Sequence, residues 1–224
     1  MVQKKISLLE FESNPNIGLY MFVNNKFCLV GSQINEDKKK EIEKVLKVPV
    51  YKITMLGTEL VGVFASGNDD LLLIPEIYDY ELKEIEKICK KNKVNILSIN
   101  EKQNTFGNNI CFGNDKIIIN PNYSTEFNKE IEKNTGLKII KLKNDQFASI
   151  GSICRFLNGK FFLSQEIKES EVKTFVKNVG GIGTVNSGSN MISSGVVGND
   201  NGLLLGSMCS TIEIQNITEA LDYT

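Results

Sequence analysis

Histidine is missing altogether from this 224-residue chain. That absence removes the Ser-His-Asp triad, the His-assisted cysteine nucleophile and every imidazole metal site. Neither sign of charge is in excess. With 26 basic residues against 27 acidic ones, no global field draws the protein to nucleic acid or anionic lipid, so any RNA contact has to be local. Long apolar runs are lacking too. The opening MVQKKISLLEFESNPN has two lysines and then only a short strand-like stretch, which reads as a protein with no membrane span and no export signal. There is no CxxC pair. Cys28, Cys89, Cys111, Cys154 and Cys209 are widely spaced and mostly set in apolar runs, as expected of reduced core residues in the cytoplasm or nucleus. Nucleotide signatures fail as well. No GxxxxGKS or GxxxxGKT string occurs, and Asn186 stands where the dinucleotide fingerprint needs a third glycine after Gly181 and Gly183. No cofactor or metal is expected.

What the chain does contain is a repeat. The segments NIGLYMF, LVGVFAS, TFGNNICF, SIGSICRF and SSGVVGND carry Gly18, Gly62, Gly107, Gly151 and Gly195, at spacings of 44, 45, 44 and 44. After each comes an asparagine turn (Asn25, Asn68, Asn114, Asn158, Asn199) and a second apolar run, from KFCLV to GLLLG. Asparagine and glycine tolerate the positive φ of tight hairpins, so each unit is expected to open with a β-hairpin. Its glycine then serves the hairpin or a close backbone approach.

Charged segments of helical spacing follow, such as NEDKKKEIEKVLK and YDYELKEIEKICKKN. In the second, Leu82, Ile85, Ile88 and Cys89 share one face. Asn35, Asp79, Ser124 and Ser170 are the candidate N-caps. A third strand is expected at 48–54, 94–100, 137–143 and, more weakly, 181–185. The unit is therefore ββαβ. The fifth lacks its last strand, but KKISLLEF (4–11) begins 14 residues before Gly18, as VPVYKIT begins 14 before Gly62. An open array would leave two bare sheet edges, whereas a ring closed by the N-terminal strand hides them. The expected fold is α/β: one domain over 1–224, five ββαβ repeats about a pseudo-fivefold axis, with residues 1–12 completing the fifth.

Such a ring resembles the pentein architecture. That architecture hosts guanidino-modifying enzymes with a cysteine nucleophile, and Cys209 in GSMCST lies about where one would stand. Without a histidine to take its proton, Cys209 reads as a packed small residue and the chain as a non-enzyme.

A second resemblance is more specific. GTVNSGSNMISSGVVGND (183–200), LVGVFASGNDDLLLIP (60–75), FGNNICFGND (106–115) and NIGLYMFVNNKFCLV (16–30) are similar to strings of the translation initiation factor 6 family, and STIEIQNITEAL is similar to its last helix. The resemblance implies a ribosome anti-association factor that binds the large subunit, blocks joining of the small one and takes part in large-subunit biogenesis. It implies contact with a ribosomal protein beside the sarcin-ricin loop, a local rRNA contact, and release by a ribosome-binding GTPase. A monomer is expected, cytoplasmic and, in a eukaryote, also nuclear or nucleolar. Gly18 and Asn108 match family positions implicated in docking, and Val63 falls where eukaryotic relatives tend to carry arginine. The string MCST (208–211) departs from a more polar family sequence, and regulation through a long tail after the fifth unit is not expected. The alternative is a non-catalytic ring that binds some other protein or RNA surface.

Overall fold

The computed structural model describes residues 5–142, 149–172 and 177–224. The chain opens with β1 (Lys5–Leu9). A 3-10 turn at Ile17–Leu19 leads into β2 (Met21–Val23), β3 (Cys28–Gly31), α1 (Glu36–Leu46) and β4 (Val50–Ile53). The short turn α2 (Val61–Phe64) starts the next unit, with β5 (Ser66–Gly67), β6 (Leu71–Pro75), α3 (Asp79–Lys91) and β7 (Asn95–Ile99). The third comprises α4 (Phe106–Asn109), β8 (Ile110–Phe112), β9 (Lys116–Ile119), α5 (Thr125–Thr135) and β10 (Lys138–Lys141). The fourth has β11 (Cys154–Leu157), β12 (Lys160–Ser164), α6 (Glu169–Val172) and β13 (Val179–Gly183). The fifth has α7 (Ile192–Gly195), β14 (Val196–Asn199), β15 (Gly202–Gly206) and α8 (Thr211–Ala220).

The strands form five three-stranded sheets. In each, an antiparallel hairpin is joined by a parallel strand that returns after the helix, for example β2 with β3 and β3 with β4. The middle strands are buried almost throughout, which is why CLVG, LLLIP and KIII read as unbroken apolar runs rather than alternating ones. The fifth sheet has the order β1-β15-β14, and β1 runs parallel to β15 from Lys5 opposite Gly202 to Leu9 opposite Gly206. The N-terminal strand thus supplies the last unit's third strand and closes a pentein-like ring of five ββαβ units. The predicted start at Lys4, the end of the third strand at 143, and the body of the fourth helix at 173–176 lie outside the described residues.

Five apolar clusters sit between neighbouring sheets, with the longer helices sealing them. Ile42, Val45 and Leu46 of α1 pack with Leu9 and Leu204 on one side and Val30 and Val50 on the other. Ile85, Ile88 and Cys89 of α3 likewise join Phe22, Phe27 and Leu29 to Leu72 and Ile74. Each of these two helices therefore binds two units, so the sequence period is also a period of the core. Asn35 and Ser124 cap α1 and α5 by accepting from Lys38 N and Phe127 N. Asp79 does not cap α3: it is the first helical residue, after the extended Tyr78. Ser170 falls inside α6. The best-made cap, Ser210 with Glu213 in a reciprocal box on α8, was not expected from the sequence.

Two details of the repeat differ from expectation. In three hairpins asparagine acts through its side chain rather than through positive φ. The Oδ1 atoms of Asn24, Asn68 and Asn199 accept from the backbone N–H groups two and three residues on, so Asn24 and not Asn25 is the repeat position in the first unit. Only Asn158-Gly159, at φ 50° and 78°, is the positive-φ pair. Gly195, in turn, is not the fifth repeat glycine. A Cβ on Gly62 would lie 1.9 Å from Gly18 O, one on Gly107 1.9 Å from Gly62 O, one on Gly151 2.5 Å from Gly107 O, and one on Gly18 1.8 Å from Ser193 O. Ser193 closes this circle, its Oγ donating to Gly151 O or Cys154 O, each 2.7 Å away. A Cβ on Gly195 would instead meet the Val185 side chain. The buried residue before each ring position (Ile17, Val61, Phe106, Ile150, Ile192) fixes the alignment.

Candidate docking face and axial cavity

The ring of backbone contacts marks one end of the axis. From it the first strands run to the hairpin turns at the other end, each only two to four residues long. The glycine turns surround an axial cavity of about 570 Å³, whose wall includes Gly18, Gly62, Gly107, Asn108, Gly151, Ser152 and Arg155. The hairpin end opens into a second space of about 680 Å³, lined by Asn25, Asp69, Asn114, Asn158, Asp200 and Asp222. There Asn25 ties three units together. Its backbone N–H and Nδ2 donate to Asp69, and Nδ2 also reaches Asp200. Asp222 is paired with Lys160 at 2.7 Å.

The three predicted docking residues all fall on the glycine turns. Gly18 is the middle residue of its turn, and the 1.8 Å clearance explains why nothing larger fits. Val63 is half-buried in α2, outside the cavity wall. Asn108 is half-buried in α4, and its backbone N–H donates to Thr105 O while its carbonyl accepts from Ser152 N. Its side-chain amide makes no hydrogen bond among the described residues. A polar group left unpaired on an otherwise satisfied turn is free to be spent on a partner.

Beside this face lies a second set of loops. Residues 55–58 and 185–189 form tight turns with positive φ at Leu56 and Gly57, and at Asn186 and Ser187. A buried carboxylate holds each. Glu81 accepts from Thr54 Oγ1, Leu56 N and Gly57 N. Glu213 accepts from Thr184 Oγ1, Ser187 N, Gly188 N and Ser210 N. Burial by itself would raise the Glu213 pKa, but the donors at Ser210, Gly188, Thr184 and Ser187 outweigh it and hold the carboxyl below its ordinary value. Cys209 packs against the second loop, accepting from Asn186 N at 3.3 Å. Burial pushes its thiol up, the opposite of what a nucleophile needs. Among the described residues no group of three or more His, Cys, Asp or Glu side chains is arranged to hold a metal ion. No helix among them is long and apolar enough to cross a membrane.

Residues 6–220 match the family model described as the eIF-6 family. The chain belongs to the eIF-6 family. Among its relatives, translation initiation factor 6 of Saccharolobus islandicus (strain L.S.2.15) is 31% identical over 218 residues, covering 95% of this chain and 97% of that protein. The Picrophilus torridus protein of the same name is 30% identical, with 97% and 99% covered. The Saccharolobus solfataricus one is 33% identical, with 92% and 94% covered. The fold alone extends further. A dimethylarginine dimethylaminohydrolase in adduct with S-methyl-L-thiocitrulline is similar at a TM-score of 0.52 with 10% identity, covering 92% of this chain and 74% of that one. The product-bound N-terminal domain of ArgZ, a cyanobacterial arginine dihydrolase, is similar at 0.50 with 14% identity, covering 73% and 64%.

For this eIF-6 family member the sequence reading missed two residues of the axial site. Ser193 was hidden by the nearby Gly195, although lining up the buried apolar residue before each ring position would have found it. Arg155 was passed over, although it is the only arginine in the chain.

Proposed function

We propose that this protein is a non-catalytic anti-association factor that docks on the large ribosomal subunit and blocks joining of the small one by overlap. Family membership across nearly the whole chain carries this reading. The named relatives are translation initiation factors, and this chain has the same extent. The geometry supports it. The five interlocked units behave as one domain over 1–224, and the ring of backbone contacts at the glycine turns gives that face a fixed shape. A fixed shape suits a protein-protein footprint of about 1,200–2,000 Å².

In this reading Gly18, Val63 and Asn108 lie on the docking face against a ribosomal protein beside the sarcin-ricin loop, with an rRNA contact at its edge. Apolar Val63 contributes packing where a cation would contribute a phosphate contact. Gly18 acts by close approach and Asn108 by its free amide. The monomer works in the cytoplasm, and a ribosome-binding GTPase supplies the work of release. Participation in large-subunit biogenesis follows from the same dock. Co-sedimentation with isolated large and small subunits, followed by a joining assay on the same fractions, tests this. Selective large-subunit binding with loss of joined ribosomes is the expected result. Failure to bind cognate large subunits at low salt would leave a ring that binds some other protein or RNA surface.

A further inference from the structure

Arg155, the chain's only arginine, lies on β11 and lines the axial cavity. Its Nε is shielded from solvent and has no hydrogen-bond partner. Among the described residues no carboxylate forms an ion pair with it, and none of those lining the cavity is an aspartate or glutamate. A guanidinium stays protonated in proteins, so this half-buried positive charge, its Nε shielded, sits among the described residues without the counter-charge that normally offsets the cost. Burial pulls its pKa down, partly countered by Cys111, Tyr223 and Cys154.

Other donors share the wall. Ser149 and Ser152 line the same cavity, as does Asn108 with its unpaired amide. A planar fork beside hydroxyl and amide donors suits an anion with several oxygens better than a two-oxygen carboxylate. The two ends of the axis differ in charge. Asp69 and Asp200 stand at the hairpin opening, where Asp222 is paired with Lys160, and their charge disfavours anions at that end.

We propose that the axial cavity is a binding site for a small phosphate-type oxyanion, held by Arg155 with help from Ser152 and Asn108. The oxyanion is either free or the terminal group of a small ligand, for which about 570 Å³ leaves room. The cavity shares Gly18 and Asn108 with the proposed docking face, and oxyanion binding is tested without ribosomes so that its failure is distinguishable from failure of docking.

A lone arginine gives a single Nε–H cross-peak in a nitrogen-15 spectrum of the whole chain. Inorganic phosphate titrated at constant ionic strength should move that peak saturably, and chloride should not. Adenosine 5′-monophosphate is the second arm: a tighter response than to phosphate identifies a small phosphate ester as the source, and a weaker one identifies the free ion. Arg155→Met should weaken phosphate binding at least about tenfold, as expected for loss of a charge-assisted pair. It should also abolish the phosphate-dependent rise in Tm. A cross-peak indifferent to phosphate would overturn the proposal, as would one that answers equally to chloride, or only to acetate or a short single-stranded RNA. Arg155→Met retaining the full rise in Tm would do the same.

Discussion

Replacing Gly107 by alanine is the sharpest test of the axial ring. Gly107 sits in the short helical turn α4 with no positive φ. On propensity alone, alanine in a helical position should stabilise by up to about 1 kcal/mol. The ring reverses that sign. The new Cβ would lie 1.9 Å from Gly62 O and 2.8 Å from Ala65 O. Both are backbone atoms, so no side chain can swing aside, and the contact between the second and third units has to open by about 1 Å to restore ordinary separation. Overpacking in a well-filled interior costs about 1–3 kcal/mol and occasionally more. With backbone on both sides and the ring transmitting the shift, we expect a net loss of about 3 kcal/mol. For a chain of this size that corresponds to a fall in Tm of roughly 6–12 °C. Ser193→Ala is the internal control, because that ring position already carries a Cβ. It loses only the hydroxyl bond to Gly151 O or Cys154 O, worth about 1 kcal/mol. Urea unfolding of both variants measures the difference at constant m-value. A Gly107→Ala midpoint equal to wild type, or no lower than that of Ser193→Ala, would refute the ring as described.

Deleting residues 1–12 should destabilise the whole protein by more than the loss of one hairpin, since it unpairs β15 along five positions and removes buried Leu9 and Phe11; a truncated chain that melts like the intact one would count against closure. Glu213→Gln should cost about 1–3 kcal/mol at pH 7, because an amide oxygen cannot accept all the donors the carboxylate does. The folded pKa of Glu213 is depressed, so its stabilisation is complete above the unfolded carboxylate value of about 4.3 and fades as pH falls through the folded one. Melts of wild type and variant should therefore converge in acid, and a constant gap down to low pH would contradict the assignment. All five cysteines are buried, and burial raises Cys89 to about 11, so a thiol reagent at pH 7.5 should label the native chain slowly and the urea-unfolded chain at once. Asn108→Ala should leave unfolding stability within about 0.5 kcal/mol of wild type, as a side chain without internal partners among the described residues implies, while lowering large-subunit affinity in sedimentation.

Much of this was legible in the sequence for a simple reason. Each unit repeats the same burial problem, so apolar runs, turn asparagines and helix faces return every 44 or so residues. Closure could be read as well, because the strand missing after the fifth helix and the spare strand at 4–11 had matching spacing to the next glycine. Element ends were less legible. Asp79 resembled a cap, yet the chain enters α3 one residue earlier, at Tyr78. The proposed docking residues came from family resemblance, and nothing in composition or period separates Asn108 from an ordinary turn asparagine.

Tertiary structure decided what depends on distances across the axis. Gly195 continues the sequence period, but it is Ser193 whose carbonyl meets Gly18, because ring membership is set by which backbone atoms touch. A spacing rule cannot see that contact. Likewise the sequence shows that Arg155 is the only arginine. Only the closed ring shows it lining a cavity whose described wall residues include no carboxylate, because that wall is drawn from all five units, from Asn16 to Ser194.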